Sequence, residues 1–315
     1  MRVTNFVPNA RPRQIWRMAR IVTRVAAGVL FAVLAAPAIS QQPEATLHHV
    51  HGLAFGADGK ALYVPSHFGL SVWRDGRWRK LDGPQHDYMG FAATRSFFYS
   101  SGHPAPGSGL VNPFGLMKSA DGGRSWRKLG LEGESDFHLL ATSYDTDAVY
   151  VFNPEPNSRM RRAGIYSTRN DGLSWREARA QGLAGRIAAL AVHPADANVV
   201  AAATSEGLYV AEDSGETFRA ALNDEQVVSA LFDLDGRYLW VSSVRQGAVL
   251  SRLDWRTGAR TSVALPPLAK DAVAYIAQNP ASRDEYAIAT FERSVFVSKN
   301  AGKSWAQIAD KGRGK

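Results

Sequence analysis

Seven of the eight histidines in this chain lie between residues 48 and 138. They recur in short motifs with carboxylates. One segment opens His48-His-Val-His51, and another carries Asp136-Phe-His138. On an extended backbone residues i and i+2 share a face. His49 and His51 therefore point one way, and Asp136 and His138 share a face by the same rule. Asp87 opens a third segment, Gln85-His-Asp-Tyr-Met-Gly-Phe91. His67 and His103 close two apolar runs, in Ser66-His-Phe-Gly69 and Ser101-Gly-His-Pro104. Imidazole with carboxylate suits zinc, copper, nickel or iron, and a site with an open coordination position is able to do catalysis.

For any one of these histidines, hydrogen bonding to water and loop backbone is explanation enough. The converging set carries more weight. It predicts a transition-metal site, copper or zinc, built from His49, His51, His67, His103 and His138, with Asp87 and Asp136 as ligands or as groups that orient them. No nucleotide cofactor is expected. A second chemistry uses the same neighbourhood. Glycoside hydrolysis needs two carboxyls about 5–10 Å apart, and Asp87, Asp136 and Glu155 supply candidates for a glycosidase-like hydrolase acting on extracytoplasmic glycans. A third class is a non-catalytic protein-binding or assembly scaffold, whose partner the residues do not name. Met89, Met117 and Met160 fit core packing better than copper ligation. All of this depends on register, since a one-residue slip would send His49 and His51 to the opposite face.

The elements that must position these residues announce themselves by repetition. An eight-residue frame occurs as Ser119-Ala-Asp-Gly-Gly-Arg-Ser-Trp126 and Thr168-Arg-Asn-Asp-Gly-Leu-Ser-Trp175. It returns as Ala211-Glu-Asp-Ser-Gly-Glu-Thr-Phe218 and Ser298-Lys-Asn-Ala-Gly-Lys-Ser-Trp305. The aromatics are 49, 43 and 87 residues apart, the last gap holding two periods, and a weaker copy ends at Trp78. Within the frame a hydroxyl, an Asp or Asn two residues on and a Gly make a tight hairpin turn, and the aromatic is a large apolar anchor. A period in the forties with one such turn each predicts an all-β single β-propeller. Six blades of four antiparallel strands are expected, at about 46–82, 86–131, 135–181, 184–222, 226–266 and 271–310, with seven blades the alternative. Segments Pro104–Pro113 and Asn153–Arg162 are insertions between second and third strands. The inner strands of a propeller line its channel, so the openings of the first three blades would gather at one mouth.

The frame resembles the Asp-box, or BNR, repeat S/T-x-D-x-G-x-T-W of sialidases and related propellers. That resemblance implies a turn on the outer rim between third and fourth strands, away from any active site. The segments His49-Val-His-Gly-Leu53, Asp87-Tyr-Met-Gly-Phe91, Ser101–Gly107, Asp136-Phe-His138 and Asn153–Met160 are similar to a group of exported bacterial propellers described as glycosyl hydrolase or exo-α-sialidase-like BNR proteins. This likeness spans about residues 47–310. It does not extend to sialidase chemistry, because the Arg-Ile-Pro motif is absent and His and Asp stand where a carboxylate clamp wants Arg. Arg159, Arg161 and Arg162 cluster in one insertion and read as a solvated face. Asp-box propellers also resemble photosystem assembly factors and sortilin-type receptors, which bind partners; the His-rich mouth fits neither group well.

Residues 1–40 read as a cleaved signal peptide. Six Arg precede the apolar run Val25–Ala36, and small residues around Ala36, Ala38 and Ser40 offer a cleavage site. The run is short of the roughly 20 residues of a membrane span, so no stable membrane insertion is expected after cleavage. The mature protein is expected in a bacterial periplasm or secreted. The same segment explains the net charge of +8: without its six Arg, 31 basic residues face 29 acidic ones. With no basic stripe to account for, a nucleic-acid partner is not expected. The absence of Cys excludes disulfides, thiolate-bound zinc and a thiol nucleophile. Stability must come from the propeller core, which about 270 residues can supply.

Overall fold

The computed structural model describes residues 46–315, so the signal peptide expected at 1–40 lies outside the described residues. Those residues form six antiparallel sheets and no helix. Five sheets have four strands in sequence order, and the sixth has five. The inner strand of each blade packs on that of the next, and the inner strand of blade one packs on that of blade six. The ring is therefore closed with six blades, and the seven-blade alternative is excluded.

The burial pattern follows from the geometry of a ring of sheets. Middle strands have neighbours on both faces, so they lose the period-two alternation of a half-exposed strand. Val200–Thr204, Gly207–Ala211 and Tyr286–Thr290 are buried at every position. Outer strands meet solvent, and Arg77–Lys80 buries only Trp78. The apolar side chains separate into six clusters, one at each interface between adjacent blades. The cluster joining blades six and one combines Leu47, Leu62 and Val64 with Ala287, Val295 and Val297. Met89, Met117 and Met160 are core residues, as expected.

The repeated frame forms the turn between the third and outer strands. Ser119 Oγ accepts from Gly123 N–H at 2.8 Å and donates to Asp121 Oδ1, which also accepts from Ser125 N–H at 2.9 Å. The same bonds recur through Thr168 and Asn170, and through Ser298 and Asn300. The aromatics pack where the hairpin predicts: Trp126 stacks on Tyr88, and Trp305 donates to Ala264 O of the preceding blade at 2.7 Å.

Three boundaries differ from the expectation. The propeller does not stop at residue 310, because Arg313–Gly314 adds a fifth strand to blade six. Thr46 bridges to Arg313, and Leu47 N–H donates to Gly312 O at 2.7 Å. The first inner strand is also shorter than expected, covering Ala54–Phe55 only. His48–His51 precede it outside any strand, held by His51 N–H to Pro65 O at 3.2 Å. Blade three behaves alike, with its inner strand starting at Leu140, after Asp136 and His138.

Candidate metal centre

In four-stranded antiparallel blades, the turn from the second to the third strand and the link from the outer strand to the next blade lie at the same end. His103 ends the second strand of blade two, and His67 sits in the turn just after the second strand of blade one. His49, His51, Asp87, Asp136 and His138 lie in links between blades or at their ends. All seven therefore gather at one mouth of the channel, and the repeated frame lies at the opposite end. Beneath the mouth a cavity of about 650 Å³ runs between the inner strands, with His51 and His138 in its wall beside Leu53, Leu140, Ala230 and Ile276.

The residues fall into two triads rather than one continuous site. In the first, the donor atoms of His49, His51 and His67 lie within 4.8 Å of one another. His49 and His51 stack with ring centroids 5.7 Å apart, and both contact His67, at 4.3 and 4.9 Å. His48 points elsewhere and meets Phe68 edge-on. Asp87 stands beside this triad: its Oδ2 lies 2.6 Å from His67 Nδ1, and its Oδ1 lies 3.7 Å from His51 Nε2. Burial pushes the His51 imidazole down to about 4, the Asp87 charge only partly opposing it. Burial also lowers His49, aided by the charges of His67 and Arg293. Neutral imidazoles are the form that binds a metal.

The second triad is His103, Asp136 and His138, again with donors within 4.8 Å. Asp136 Oδ2 lies 2.5 Å from His138 Nε2 and 3.0 Å from His103 Nε2. Burial pushes Asp136 up, but the hydrogen bonds and charges of the two histidines outweigh it and hold the carboxyl below the usual range. The hydrogen bond to Asp136 raises His138 in return, against the pull of its burial. Three buried polar atoms across the two triads have no hydrogen-bond partner: His51 Nε2, Asp87 Oδ1 and Asp136 Oδ1. Such atoms cost free energy unless something is bound to them.

Two glycines make the arrangement possible. Gly102 has φ +124°, and a Cβ there would lie 2.0 Å from Asp87 O. Gly90 has φ +49°, and a Cβ would lie 1.9 Å from Phe137 O, between Asp136 and His138. Only glycine lets the strands approach this closely. Phe137 is fully buried, and its N–H donates to Ser101 Oγ at 3.0 Å, so Asp136 and His138 are anchored from both sides.

The remaining candidates separate cleanly. Glu155 is exposed in the 153–162 insertion, grouped with neither triad, and its main-chain carbonyl accepts from Asn153. Arg159, Arg161 and Arg162 are exposed, as a solvated face should be. His86 accepts from Ala105 N–H at 3.0 Å and His193 from Asp196 N–H at 3.1 Å, so both have structural work. Asn112 was not anticipated. Its Oδ1 lies 2.7 Å from His103 Nδ1, fixing that ring from the 104–113 insertion. The available signal was position, since this insertion replaces the turn that carries His67 in blade one.

Neither a family profile nor a curated protein sequence matches the chain. Solved structures do match in fold. The GH74 enzyme of Niastella koreensis aligns with a TM-score of 0.57 at 17% identity, over 84% of this chain and 46% of that one. The GH74 xyloglucanase of Xanthomonas campestris gives 0.56 at 16%, over 84% and 46%. The chain thus spans about half the length of these two enzymes. YCF48 bound to D1 peptide gives 0.50 at 20% identity, over 85% and 83%. At these identities the likeness is one of β-propeller fold.

Proposed function

We propose that this chain is an exported propeller of the Asp-box type that binds a transition metal, copper or zinc, at the channel mouth through His49, His51 and His67, with Asp87 beside them. The observation that carries the reading is the closeness of three imidazole donors, all within 4.8 Å. Three imidazoles and one carboxylate match the donor preference of copper and zinc, and the unpartnered His51 Nε2 and Asp87 Oδ1 are two atoms that an ion would satisfy. The test is metal content of residues 41–315 purified without a His tag, beside His49→Ala/His51→Ala. Tightly held copper or zinc in the parent, with one equivalent fewer in the variant, is the expected result. No metal in either, with no tight uptake on titration, would end the proposal.

A second reading is a glycosidase-like hydrolase acting on extracytoplasmic glycans. What favours it is that Asp87 and Asp136 each bring an unpartnered buried oxygen to the mouth of an open cavity. Hydrolysis of a β-glucan panel by metal-free protein, lost in Asp87→Asn and Asp136→Asn, would put it first.

A further inference from the structure

We propose that His103, Asp136 and His138 hold a second cation, so that the mouth is a two-metal centre. The inference rests on the metal reading above and extends it from one ion to two.

The donor count asks for this. Five imidazoles and two carboxylates exceed what one tetrahedral ion accepts. They are also not pooled, since the close groups are two separate sets of three with no member in common. Each set alone has the size of a three-ligand site that keeps an open position. In the second set, Asp136 Oδ2 sits 2.5 and 3.0 Å from the two imidazole nitrogens. Tetrahedral donors with bonds of about 2.0–2.1 Å stand ~3.3 Å apart, so small side-chain rotations suffice for an ion to replace the protons these groups share.

Asn112 supplies an independent sign. A ligand histidine is usually fixed through its other nitrogen by a neighbouring acceptor. His103 turns Nε2 toward Asp136 while Nδ1 meets Asn112 Oδ1 at 2.7 Å. Asp136 also keeps Oδ1 buried without a partner.

Asp87 links the two sets. Its Oδ2 meets His67 of the first, and its backbone is paired directly with His103 of the second. The sets differ in chemistry. Three imidazoles favour copper or zinc, whereas two imidazoles and a carboxylate with open positions favour zinc or ferrous iron.

Zinc titration of metal-free residues 41–315 tests this, with bound metal counted after gel filtration. The expected result is close to two equivalents in the parent and one in His103→Ala/His138→Ala. His49→Ala/His51→Ala is also expected to keep one. One equivalent in the parent, unchanged in His103→Ala/His138→Ala, would overturn the second site and leave the first standing. No uptake by the parent would remove both. Should His103→Ala/His138→Ala fail to fold, cobalt(II) titration of the parent decides: visible absorption that saturates at two equivalents supports the pair, and saturation at one refutes it.

Discussion

His67 Nδ1 lies 2.6 Å from Asp87 Oδ2, although His67 follows the second strand of one blade and Asp87 opens the inner strand of the next. The contact joins two blades at the mouth and leaves the other carboxylate oxygen without a partner.

Removing that carboxylate should weaken the metal without unfolding the ring. Asp87→Ala is expected to lower zinc affinity by about 10–100-fold, the usual cost of losing a group that orients or supports a ligand. Competition with a chromophoric chelator measures it. Affinity equal to the parent would show that Asp87 plays no part.

Acid should destabilise the apo protein through His51. Its unfolded value is near 6.5 and its folded value about 4. Between these, the unfolded chain binds more protons, so stability falls as pH drops from 6.5 to 4. The gap sets a ceiling of about 3 kcal/mol, or roughly 2 after solvent screening of a partly exposed ring. Urea unfolding at pH 7 and 4.5 should show that loss in the parent and a much smaller one in His51→Leu.

Gly102→Ala tests the close approach beneath Asp87. The φ of +124° and the 2.0 Å contact leave no room for a methyl, so a loss of about 2 kcal/mol or more is expected from strain and overpacking. Metal uptake should fall with it, because the backbone of Asp87 must move. A variant with parental urea midpoint and parental zinc affinity would contradict this account.

Asp171→Ala serves as the contrast. Asp171 accepts from Tyr99 Oη, Lys118 Nζ and Arg127, all at 2.9 Å, across blades two and three at the end of the ring opposite the histidines. Its loss leaves the largely buried Lys118 ammonium unpaired, at a cost of about 1–3 kcal/mol. Thermal unfolding should register this while zinc stoichiometry stays unchanged.

The frame spacing made the blades legible, because each copy is a turn of defined hydrogen bonding and the period measures one sheet. The pairing of His49 with His51, and of Asp136 with His138, was also legible, though for a looser reason than expected. Neither segment is a strand: His51 is held to Pro65 by its N–H, whereas a tight turn at Phe137, with His138 N–H donating to Asp136 O at 3.2 Å, brings Asp136 and His138 together. The division into two triads was not legible. It depends on where each link enters the ring, which is set by contacts such as Gly90 with Phe137 and Gly102 with Asp87. Asn112 was hidden for the same reason, since only the fold of the 104–113 insertion brings it to His103. The strand at Arg313–Gly314 carries too few apolar residues to show as one.

That strand ties the first triad to the order in which the chain folds. Leu47, two residues before His49, is fixed by Gly312 and buried against blade six. A growing chain has made every donor of both triads long before Gly312 and Arg313 exist to hold the first of them. The geometry of the first triad therefore depends on a strand made long after its donors. A chain clipped near Gly312 would keep all its donors and lose the frame that aims them.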